Sequence, residues 1–138
     1  MKVKHICSVE SLISILKSQI YWPAYSSPHA GDSGLNCFII GKDYNFNQNI
    51  NGRGAELIIF WHGKVEETSM YHPLPYTPNI LYDQEFYRCI IPHGTESSLI
   101  EVIGFNIEYK LTLNQKISLL ILRIKLKFKR VFLTLGYA

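Results

Sequence analysis

Apolar positions change their spacing several times along the 138 residues, and each change marks an expected element. Lys2 to Cys7 reads as a short β-strand. Leu12, Ile13, Ile15, Leu16 and Ile20 then recur at helical spacing. Ser8 stands at the N-cap of that helix, and Ser11 occupies the position where a capping-box glutamate would sit, so the box is incomplete. Pro23 ends the pattern after Tyr21 and Trp22. Residues 24 to 36 are rich in Ser, Gly, Pro, Asp and Asn and predict a loop. Cys37 to Ile40 predicts a short buried strand, the Asn-rich stretch 43 to 54 another loop, and Ala55 to Trp61 a longer strand. Three prolines between Glu67 and Leu81 predict an irregular crossing. Glu85 to Pro92 and Ser98 to Phe105 are apolar runs that His93-Gly94-Thr95-Glu96 would join as a hairpin.

The last thirty residues fit two templates. Arg123 to Lys129 alternates at period two, whereas Leu113, Ile117, Leu120, Ile121, Ile124, Phe128, Val131 and Phe132 fall on one helical face. The run from Leu113 to Leu133 exceeds ordinary strand length and holds no Gly or Pro, which favours a helix. Its expected role is to pack that apolar face onto the body. The charges between Arg123 and Arg130 exclude a transmembrane span. Five strands with one early helix make the fold class α+β. A core over residues 1–109 would be continued within the same domain by a basic amphipathic arm over 110–138.

Composition sharpens this outline. With 47% hydrophobic and 13% aromatic residues the chain has enough apolar material for one core. Of 14 basic residues, Lys110, Lys116, Arg123, Lys125, Lys127, Lys129 and Arg130 lie after residue 109, with no acid among them. Seven basic residues against eleven acidic ones remain before that point, a net charge of −4. Any attraction to nucleic acid or another anionic surface therefore belongs to the arm, with Arg123, Lys125, Lys127, Lys129 and Arg130 as the candidate phosphate contacts. The N-terminus offers no apolar run of signal-peptide length, and Cys7, Cys37 and Cys89 form no Cys-x-x-Cys pair. Both features lead to the expectation of a cytoplasmic chain with reduced, buried thiols. Five histidines are likewise not paired at zinc spacing, so no metal site is expected, and neither a phosphate-binding loop motif nor a Gly-x-Ser-x-Gly elbow is present.

The remaining chemistry is positional. His5 lies in the first strand just before the Ser-x-Glu-Ser-Leu-Ile-Ser-Ile-Leu-Lys-Ser helix, a Ser/Gly loop follows, and Asp83-Gln84-Glu85 opens a late strand. This order resembles the ADP-ribosyltransferase fold, in particular small bacterial domains of the toxin and phage-defence kind. The resemblance covers residues 1 to about 109 in outline and implies a split β-sheet core and NAD as substrate. It further implies that Glu85 stabilises the oxocarbenium-like cation formed when nicotinamide leaves. His5 would contact the ribose hydroxyls, its neutral ring donating and accepting at once. Asp83 takes the place of the first residue of a Glu-x-Glu loop, a departure that argues against arginine as acceptor. Tyr21, Trp22, Tyr25 and Tyr44 are candidate stacking faces for nicotinamide, with Tyr25 preferred, and Ser26 and Ser27 are candidate polar contacts. The acceptor would be a macromolecule, nucleic acid or protein, and a cognate toxin or antitoxin would be a natural partner. The competing reading is a non-catalytic binding protein, such as an immunity protein neutralising a toxin. On that reading His5 is a satisfied structural histidine and Glu85 a surface residue at a strand mouth.

Overall fold

The computed structural model describes residues 1–22, 34–40, 53–63, 69–70, 88–92, 94–108 and 110–136. The chain opens with β1 (Lys2–Ser8) and α1 (Val9–Ser18). The Ser8 hydroxyl accepts the Ser11 N–H, which satisfies one of the donors a helix leaves open at its start. Gln19 ends α1 in the left-handed region at φ 58°, and its N–H bonds the Ile15 carbonyl at 2.7 Å. That reversal starts β2 (Ile20–Tyr21) where helical spacing alone would have carried the helix on to Ile20.

There follow β3 (Gly34–Ile39), β4 (Gly54–Trp61), β5 (Ser69–Met70), β6 (Arg88–Pro92), β7 (Ile100–Ile107), α2 (Leu113–Phe128), β8 (Val131–Phe132) and β9 (Thr134–Leu135). Seven strands form one sheet in the order β5-β6-β3-β1-β4-β7-β8, and β2 pairs with β9 in a separate parallel pair. All pairings within the large sheet are antiparallel. The architecture is α+β. In β4, Ala55, Leu57, Ile59 and Trp61 are buried while Glu56, Ile58 and Phe60 between them are half-buried, so the core lies on one face of the sheet. Leu12 and Leu16 of α1, Leu119 and Leu122 of α2, Val3, Val102 and Phe105 join the same core. On the other face Lys4 pairs with Glu56 at 3.9 Å, and Glu56 accepts from Asn106 at 2.7 Å.

Four expectations change. β3 begins at Gly34 rather than Cys37, because Gly34 to Phe38 pair with Arg88 to Pro92, and this tertiary ladder overrides the turn-forming composition of residues 34–36. The Pro-rich crossing contains the short strand β5, which pairs with β6. The apolar runs before and after residues 93–96 do not form a hairpin: β6 pairs with β3 and β7 with β4, with three strands between them. The connection crosses the sheet through Gly94, at φ 85°, and a single 3-10 turn at Ser97–Leu99. Helix α2 stops at Phe128 instead of running to Leu133, because β8 pairs with β7 and Leu133 bonds the Ile100 carbonyl.

The helical template does win over the period-two alternation at Arg123 to Lys129, but the phase of α2 is the reverse of the expected one. Leu119 and Leu122 face the core, whereas Leu113, Ile117, Leu120, Ile121, Ile124 and Phe128 are exposed. Thr112 and Gln115 complete a capping box that fixes the helix start. No helix among the described residues is long and apolar enough to cross a membrane.

Candidate functional site

β1 has partners on both sides, β3 and β4, and its residues Val3, His5 and Cys7 share the core face of the sheet. His5 is buried there beside α1. Its Nδ1 lies 2.7 Å from the Asn36 carbonyl of β3; a carbonyl only accepts, so Nδ1 carries the ring proton and donates it. Burial pushes the imidazole pKa below its ordinary 6.5, against the opposing pull of the Asn36 bond, and the nearby Arg53 charge pushes it further down. At neutral pH the ring is therefore uncharged and Nε2 is an acceptor. The donor that the sequence reading left for a ribose hydroxyl is already engaged by Asn36.

His5 lines a pocket of about 300 Å³ together with Cys7, Ser11, Ser14, Tyr21, Trp22 and Arg53. The Tyr21 ring meets His5 edge-on, with centroids 5.0 Å apart and planes at 76°. Burial also raises the pKa of the Tyr21 phenol. The Cys7 thiol is pushed up to about 11 by burial, so it is protonated at neutral pH and unsuited to act as a nucleophile. Trp22 is 61% exposed and lies over Gly136: a Cβ there would come within 2.6 Å of its ring. The C-terminal segment braces this wall. Thr134 donates to the Gln19 carbonyl at 2.9 Å, and Gly136 to the Tyr21 carbonyl at 2.8 Å.

Of the residues singled out from sequence, the structure brings His5, Tyr21 and Trp22 into this pocket. Tyr25, Ser26, Ser27, Tyr44, Asp83 and Glu85 lie outside the described residues. Arg53, Ser11, Ser14 and the contribution of Gly136 escaped sequence reasoning. Arg53 sits in an Asn/Gly stretch with no motif around it, and Gly136 acts only through tertiary pairing. The described lining holds an acceptor, aromatic faces, hydroxyls and a cation, but no carboxylate. Such a set can bind a ligand carrying hydroxyls, a flat ring and phosphate, but it supplies no acid of its own.

The basic arm divides. Arg123 lies over the Phe105 ring, 4.2 Å from its centroid, and Arg130 bonds both oxygens of Glu101 at 2.7 and 3.2 Å. Two of the five proposed phosphate contacts are thus engaged with the body, while Lys127 and Lys129 are exposed and Lys125 half-buried. His62 is a second partner of Glu101 at 2.7 Å, and the hydrogen bonds from Arg130 and then His62 hold the Glu101 carboxyl down to about 2.

No family model, curated protein or solved structure matches this chain. The pocket's own chemistry carries the functional reading.

Proposed function

We propose that the His5 pocket binds NAD and that the chain is a cytoplasmic ADP-ribosyltransferase acting on a macromolecular acceptor, its core one continuous sheet where the resemblance implied a split one. The observation that carries this reading is His5, held through Nδ1 by the Asn36 carbonyl, beside Tyr21, Trp22 and Arg53 in one pocket. A ribose hydroxyl donates to Nε2, Trp22 or Tyr21 provides a face for nicotinamide, and Arg53 offers a charge to the pyrophosphate.

The carboxylate in this reading is Glu85. Glu85 lies outside the described residues, three positions before β6 begins at Arg88. In the reaction the bond between ribose C1′ and nicotinamide breaks, its electron pair leaving with nicotinamide, and positive charge grows on the ribose. Glu85 stabilises that charge until the acceptor's nucleophile bonds C1′ and gives up its proton. Asp83, in place of the family's first glutamate, favours an acceptor other than arginine. Lys125, Lys127 and Lys129 would favour a nucleic-acid acceptor.

The test is nicotinamide release from NAD by the wild type and by Glu85→Gln, alone and with protein, DNA or RNA present. Release that depends on Glu85 supports the transferase. Absence of both release and NAD binding favours a non-catalytic binding protein.

A further inference from the structure

Helix α2 has more apolar surface than the described residues cover. At about 100° per residue, Leu119, Leu122 and Leu126 lie on one side and pack on the core, while Leu113, Ile117, Leu120, Ile121, Ile124 and Phe128 form an arc of about 100° on the opposite side. These outward residues are between 47% and 86% exposed, with Phe128 the most exposed. The ridge runs the length of the helix, about 24 Å at 1.5 Å per residue. Lys116 and Lys127 flank one edge and Lys125 the other, and no acidic residue occurs in the helix or after it.

That charge pattern selects among occupants. A second copy of the same ridge would set cations against cations with no acid in either helix to answer them. A protein groove specific for the helix would be expected to use a few spaced anchors with charges of both signs to fix the register. Six apolar residues on one face, whose flanking charges are all lysines, instead match a laterally uniform anionic surface, into which a helix sinks its apolar face while its lysines meet the headgroups.

We propose that α2 docks this chain onto an anionic lipid bilayer, lying in the plane of the interface. The 16-residue helix is too short to span the hydrocarbon, and its inner face stays on the core. Docking does not involve the His5 pocket, and a bilayer under α2 occupies Lys125 and Lys127 in place of a nucleic-acid acceptor.

The full-length protein is sedimented with vesicles of phosphatidylcholine alone and of phosphatidylcholine mixed with phosphatidylglycerol. Binding to the mixed vesicles, weakening as salt rises, is expected. Ile121→Ser with Ile124→Ser should reduce it roughly tenfold or more through lost apolar burial. Lys125→Gln with Lys127→Gln should reduce it roughly thirtyfold, at the usual contribution of a lysine near an anionic surface. Ile121, Ile124 and Lys127 are exposed and Lys125 is half-buried, and an unchanged circular dichroism spectrum and melting temperature confirm that each variant folds. No binding, or equal binding to both vesicle types, overturns the proposal. So does a wild-type dimer in sedimentation equilibrium that the serine pair dissolves, because the ridge would then belong to a second copy.

Discussion

His5 combines burial, one fixed hydrogen bond and a depressed pKa, and these make a testable link between pH and stability. The folded pKa lies below the unfolded value of 6.5, so the contribution is fully present above 6.5 and is lost as pH falls through the folded pKa. Stability should fall with acid from about pH 6.5 by at most about 1.4 kcal/mol per pH unit, the limit for one proton. His5→Gln keeps a donor for Asn36 but cannot titrate, so its melting temperature should be flatter over that window. Glu101 acts in a separate window. Held down to about 2 by Arg130 and His62, it contributes above its ordinary 4.5 and loses that contribution as pH falls from 4.5 toward 2. Glu101→Gln should flatten acid unfolding there and leave the His5 window unchanged. The position of His5 in a strand ahead of a helix was legible from the sequence. Its tautomer was not, because the partner carbonyl lies 31 residues away.

Helix α2 separates what periodicity determines from what it leaves open. The spacing identified a helix from Leu113 and the Thr112/Gln115 box fixed its start, but the sequence offers two apolar arcs and periodicity cannot say which is buried. The broader arc was expected inside and lies outside. Alanine substitutions distinguish the two arrangements. Leu122→Ala should cost about 2–4 kcal/mol by opening a cavity, whereas Leu120→Ala, at an exposed site in a helix, should change stability by less than about 0.5 kcal/mol. Chemical denaturation of both variants checks the assignment, and equal costs would contradict it. The strands show a similar division: strands at Lys2 to Cys7 and Ala55 to Trp61 were readable from local composition, and each is one residue longer in the structure, while the order of β6 and β7 depends on pairing between distant segments.

Across the entire chain, the first and last segments meet at the pocket. Residues 134–136 hold Gln19 to Tyr21 by parallel pairing, and Gly136 supports the Trp22 ring. Gly136→Ala should therefore displace Trp22, shift tryptophan fluorescence and weaken NAD binding several-fold, roughly 1 kcal/mol, while the melting temperature changes little. Calorimetric titration with NAD checks this, and unchanged affinity would show that Trp22 does not face the ligand. The most direct test of the pocket as an NAD site is the nitrogen NMR spectrum of the His5 ring at neutral pH during titration with NAD. A neutral, Nδ1-protonated ring whose Nε2 resonance shifts saturably with NAD is the expected result. A ring that is charged, protonated on Nε2, or unmoved at saturating NAD would contradict it.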